Sequence, residues 1–195
     1  MAYPTVSKTY GFKPVNRVDG LPYAGAIRQI PISAGYATAI LNGDTVAIAG
    51  GYITATAATN SGYNVGVLVG CQYVNSLGQT VQAQYYPTGV TNAIAYVVLD
   101  PQAAYKVAVT NSGTTGTVTY VTRSVVGKNA VVAQGAGNTT SGDSGESVEA
   151  NTTASNAEFA VRIIDVVPET AINATAFREV IVKLNQPQFQ VTTGL

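Results

Sequence analysis

The chain has 195 residues, 46% of them hydrophobic and 10% charged, with ten basic and ten acidic side chains, one cysteine and no histidine. That length and apolar content can bury a core without disulfide staples, and a single cysteine can form no internal bridge. A charged fraction far below the roughly 25% of ordinary soluble domains, balanced in sign, excludes a global pull toward nucleic acid or an anionic membrane. The lack of histidine removes the commonest general base and the commonest metal ligand together.

Residues 1–26 contain Pro4, Pro14 and Pro22 with Gly11, Gly20 and Gly25 between them, a spacing that breaks any regular element and predicts an extended arm. Its apolar members Tyr3, Tyr10, Phe12, Leu21 and Tyr23 need a surface to lie on, either the chain's own domain or a partner. The arm region is locally basic: within the first 30 residues Lys8, Lys13, Arg17 and Arg28 face only Asp19. The start has no basic segment leading into an apolar one, and no run approaches the ~18 apolar residues of a membrane span. A cytosol-like compartment, with no membrane partner, is therefore expected until assembly.

From Ile27 to residue 185 the pattern is that of a single β-rich domain. Ile27, Ile30 and Ile32, then Ala39-Ile40-Leu41 and Thr45-Val46-Ala47-Ile48, flank Asn42-Gly43-Asp44, a strong turn signal because Asn and Gly tolerate positive φ. Alternation with period two continues through Tyr52–Ala57 and Tyr63–Val74. Asn75-Ser76-Leu77-Gly78 predicts a hairpin into Thr80–Tyr85. Ile94–Leu99, Tyr105–Val109, Thr117–Thr122, Glu158–Val167 and Glu179–Leu184 read as further strands, with a weak helix signal over Ala171–Phe177. Cys71, among valine, leucine and glycine, reads as a buried small residue.

Residues 134–156 are low in complexity and almost free of large apolar side chains, which predicts a long Gly/Ser/Thr-rich surface loop. Residues 186–195 form a polar tail. The acidic side chains Asp143, Glu146, Glu149, Glu158, Asp165 and Glu169 face only Arg162 between residues 140 and 170, opposite in sign to the arm; solvated loops, or a head-to-tail preference between subunits, would both account for this.

Gly142-Asp143-Ser144-Gly145 copies the nucleophile segment of chymotrypsin-like proteases, but such a serine needs an imidazole to take its proton. Ser144 and Cys71 are thus expected to be chemically idle, with Ser144→Ala and Cys71→Ser leaving assembly intact. Three Asn-x-Thr triplets, at Asn138, Asn151 and Asn173, are chance matches in a Thr/Asn-rich chain that shows no secretory signal. Phosphate-cradling glycine motifs are lacking, and the tyrosines are dispersed without flanking Arg or Lys, which disfavours nucleic-acid stacking. The expectations are therefore no catalytic residues, no metal and no cofactor.

Tyr10-Gly11-Phe12-Lys13-Pro14, the segment Gly25–Ile32, Gly35-Tyr36-x-Thr-Ala-Ile, Gly43-Asp44-x-Val, Gly66-Val67, Gly70–Asn75, Tyr85-Tyr86-Pro87-Thr88-Gly89 and the closing Val180–Leu184 together resemble the decoration, or cement, proteins of tailed-bacteriophage capsids. The resemblance implies an all-β fold, a small β-barrel or β-sandwich of tulip-like or jelly-roll-like type, with an extended N-terminal arm. It implies binding to the outer face of the major capsid protein shell, as a homotrimer or alternatively a dimer, on the virion exterior after assembly in the host cytoplasm. Under this reading Tyr10, Phe12, Lys13, Arg17, Tyr23 and Arg28 form the capsid-binding arm. The alternative is a β-rich adhesion module associated with a tail or fibre.

Overall fold

The computed structural model describes residues 5–23, 27–56, 59–60, 64–111, 118, 121–170, 177–185 and 188–190. Within them the β-branched, alternating segments form strands and the Gly-Asn-Asp clusters form the turns, as period-two patterning requires. In chain order the strands are β1 (Lys13–Arg17), β2 (Ile27–Ile32), β3 (Thr45–Ala49), β4 (Tyr52–Ala55), β5 (Thr59–Asn60), β6 (Gly66–Val74) and β7 (Thr80–Ala83). They continue as β8 (Thr91–Val98), β9 (Ala103–Thr110), β10 (Asn129–Ala130), β11 (Val132–Ala133), β12 (Ser147–Glu149), β13 (Val161–Val166) and β14 (Glu179–Leu184).

The chain is all-β, a small barrel packed on a second sheet. The barrel runs β3-β4-β2-β8-β6 and closes through Thr45↔Val67 and Val46↔Gly66, while β7 hangs outside the ring as the hairpin partner of β6. The second sheet runs β10-β13-β14-β9-β12-β11-β5, with β1 beside the first half of β9. Two cores result. Ile30, Ile40, Val46, Ile53, Leu68, Tyr86 and Val97 fill the barrel; Phe12, Tyr105, Val107, Val161, Ile163, Val180 and Val182 fill the space against the second sheet. The near-continuous apolar runs of β6 and β8 follow from this: Leu68 and Val97 point into the barrel, while the adjacent Val67 and Val98 point out of it into the other core.

Several expectations are corrected. Residues 13–17 are extended but not free, since β1 is hydrogen-bonded into the sheet from Lys13↔Lys106 to Arg17↔Ala103. Residues 134–156 are not a loose surface loop: β12 lies within them, and Ser144, Glu146, Ser147 and Val148 are buried. Asn42-Gly43-Asp44 forms the expected turn, and around it Asn42 bridges Asp143 while Ile40 bridges Tyr86. The expected helix over 171–177 and the tail over 186–195 lie mostly outside the described residues. Half of the expected strand over 117–122 also lies outside them; of the rest, Val118 bridges Thr110.

Candidate partner-binding surface

The six arm residues divide by environment. Phe12 is fully buried, edge-on to Tyr105 with ring centroids 6.3 Å apart. It is therefore a core residue rather than an anchor for a partner. The Tyr10 hydroxyl donates to Glu179, and burial, then that bond, raises its pKa; Glu179 also receives Lys106 at 3.2 Å and the Thr170 hydroxyl at 2.9 Å. Lys13 Nζ donates to Asn42 Oδ1 at 2.6 Å and to Asp143 at 3.3 Å. Arg17 lies 3.3 Å from Asp100 and 3.4 Å from Asp19. Tyr23 is half-buried against the core around Phe12, whereas Arg28, on β2, is exposed. The basic arm and the acidic segment thus meet within one chain, at Lys13 and Asp143.

Beside the exposed polar residues Lys8, Asn16 and Asp19, the arm and the start of β2 also leave large apolar side chains outward. Val15, Val18, Leu21 and Ile27 are four of the seven large hydrophobic side chains exposed among the described residues. The backbone brings Val18, Leu21 and Ile27 to the turn between β8 and β9, while Val15 lies on β1 between the pairs Pro14↔Tyr105 and Asn16↔Ala104. Val18 N donates to Gln102 O, Arg17 N to Leu21 O, and Ile27 pairs with Val98. Sequence reasoning chose Tyr10, Phe12 and Tyr23 as the apolar anchors of the arm, whereas Phe12 is buried and Val15, Val18 and Leu21 are the large apolar side chains exposed there. Size favoured Tyr and Phe as anchors, yet the largest apolar groups are also those whose own burial stabilises the fold most.

At the other end of β1, before Lys13, lies a buried polar junction. Phe12 N donates to Gly43 O, Gly11 N to Glu146 O, Ser144 N to Asn42 O and Gly43 N to Leu68 O, all at 2.8–3.1 Å. Glu146 is sealed inside, accepting from Thr45 N at 2.9 Å, Thr45 Oγ1 at 3.2 Å and Gln134 Nε2 at 2.7 Å. Burial, then the neighbouring Asp44 carboxylate, pushes its pKa well up. Asp44 is itself raised by burial, against the bonds from Ser144 and Leu41 N and the field of Lys13. Ser144 is fully buried, its hydroxyl accepting from Glu146 N at 2.9 Å. Burial pushes the Cys71 thiol up to about 11, and Cys71 Sγ donates to Tyr85 O.

Among the described residues no group of His, Cys, Asp and Glu is arranged to hold a metal, and no helix is long and apolar enough to cross a membrane. In comparisons with family models, curated proteins and solved structures, none matches this chain.

Proposed function

We propose that this protein is a non-enzymatic structural component of a tailed-phage virion that binds the outer face of the major capsid protein shell and decorates or stabilises it. One observation carries the reading: among the described residues, four of the seven exposed large apolar side chains fall within residues 15–27, next to the β8–β9 turn in the cases of Val18, Leu21 and Ile27. A clustered apolar patch on an otherwise polar surface marks a protein-binding site. Arg28 at its edge would contribute mainly to orientation and on-rate, since rim ion pairs are worth about 0–1 kcal/mol. The resemblance at the sequence level supplies the identity of the partner. The buried, hydrogen-bonded Ser144 and the protonated Cys71 support a role without catalysis.

The test is decoration of particles stripped of this chain. Val18→Asp with Leu21→Asp is expected to remove roughly 2–4 kcal/mol of shell binding while the chain stays folded, because both side chains are exposed. Binding equal to that of the unaltered chain would overturn the assignment. An adhesion role is the second reading, favoured by an open depression of about 380 Å³ beside Pro31, Tyr52, Asn92 and Ile94. Tyr52 is exposed there and could stack on a sugar ring. Glycan-array binding that Tyr52→Ala abolishes would favour that role instead.

A further inference from the structure

Two stretches of strand edge in the barrel sheet lack a backbone partner among the described residues: β2 before Ile32, which carries Arg28 and Pro31, and β7. β7 pairs on one side with β6, from Cys71↔Ala83 to Val74↔Thr80. Among the described residues neither a strand nor a backbone hydrogen bond lies along its other side. Such an edge presents unpaired N–H and C=O groups whose natural complement is another strand.

Proteins blunt edges with proline, bulges, charges or a covering element. The edge strand β1 uses three of these: Pro14, a bulge between Pro14 and Asn16, and the cations Lys13 and Arg17. The edge of β10 is occupied, because Asn129 bridges Ala154. β7 is protected only by its shortness, four residues, and has no proline, bulge, charge or covering strand. Thr80 and Gln82 are exposed on it, and the whole stretch from Thr45 to Leu99 contains no Lys, Arg, Asp or Glu. Just beyond β7, Gln84 reaches Asp143 at 3.4 Å, and Asp143 is paired with Lys13.

The outer face of this sheet is equally uncharged. One cross-strand row runs Pro31, Ile94, Gln72, Gln82 over β2, β8, β6 and β7. Gln82 Nε2 donates to Gln72 Oε1 at 2.7 Å, and the Tyr96 hydroxyl reaches both amides at 3.2 Å.

We propose that β7 pairs antiparallel with β7 of a second copy of this chain, about a twofold axis at Gln82. Only registers that place outward residues opposite outward residues keep both sheet faces continuous. The axis at Gln82 does so, setting Thr80 against Gln84 of the other copy and extending Gln72–Gln82 into a ladder of four amides. A second copy is favoured because twofold contacts are self-complementary. In a charge-free edge no residue meets its own like charge, and side-chain amide ladders add support. The shared edge is short, well under the area of a stable interface, so the contact is weak in solution and strengthened where copies are held close together. The contact joins copies in pairs, the dimer that stands as the alternative to the trimer in what the resemblance implies.

Sedimentation and light scattering of the purified full chain, from about 10 μM to about 1 mM, test this without any shell present. A concentration-dependent dimer is expected, with amide exchange at residues 80–84 slowing as it forms. Gln82→Lys and Gln82→Glu, each verified as folded by circular dichroism, should each weaken association at least tenfold by placing like charges on the axis. Their equimolar mixture should restore it. A chain that stays monomeric to 1 mM, a trimer mass, or association indifferent to both variants and their mixture would overturn the proposal.

Discussion

At Gly11 a side chain has no room. A Cβ there would lie 2.4 Å from Ser144 Cβ and 2.7 Å from Gly43 O, on a backbone with φ of +75° that L-residues rarely adopt. Gly11→Ala is therefore expected to cost about 2–4 kcal/mol, read as a lowered urea midpoint at unchanged slope. Ser144→Ala, expected from the sequence to be silent, should cost about 1–3 kcal/mol, because it strips a bond from the buried Glu146 amide and from Asp44. Glu146 makes the junction sensitive to pH. Its pKa and that of Asp44 are raised in the folded state, so their contribution is complete below the unfolded carboxylate values, near 4. It is lost as pH climbs through the raised folded-state values. Melting temperature should fall on the alkaline side of that range, and Glu146→Gln should flatten the fall. A profile identical in the variant would show that Glu146 is not the titrating group.

β1 shows at the level of an element what local sequence can and cannot convey. Proline and glycine spacing indicated an extended segment, which it is, but only the position of β9 decides that the segment completes a sheet. Phe12 sits at its entrance with no exposure, so Phe12→Ala should cost about 3–5 kcal/mol in chemical denaturation. Removal of residues 1–17 should leave an unfolded chain by circular dichroism rather than a domain that merely fails to bind. Glu179–Leu184 and the hairpin at Asn75–Gly78 were legible because alternation and turn chemistry are local signals. β12 was not. Its pairing is parallel to β9 through Val148↔Val109, a distant contact that leaves no periodic trace in three residues. The glycines around it were misread as looseness, whereas a Cβ on Gly135 would stand 2.1 Å from Gly145 O and one on Gly137 1.9 Å from a Leu41 methyl. They are there for close approach, which composition cannot distinguish from disorder. The outward patch of Val15, Val18 and Leu21 was hidden for the same reason, since burial is decided by β9 and not by the arm.

Across the whole molecule the barrel and the second sheet cannot behave as separate domains. β6 and β8 supply alternate side chains to both cores, so melting the barrel would strip Val67 and Val98 from the packing around Tyr105. The junction of Gly11, Gly43, Ser144 and Glu146 ties the same two halves through backbone hydrogen bonds, and β8 enters β9 through a turn held by Ala103 N to Asp100 O at 2.9 Å. Breaking this shared structure in one half leaves buried donors and acceptors without partners in the other, at a cost of about 1–3 kcal/mol each. Partial unfolding is thus disfavoured, and a single cooperative transition is expected. Amides in β8, lining the barrel, and in β14, in the far sheet, should exchange with the same global free energy, and calorimetric and van't Hoff enthalpies should agree. If β14 amides instead remained protected at a denaturant concentration where β8 had exchanged, the two cores would be independent, and the strands they share would be carrying far less energy than their burial implies.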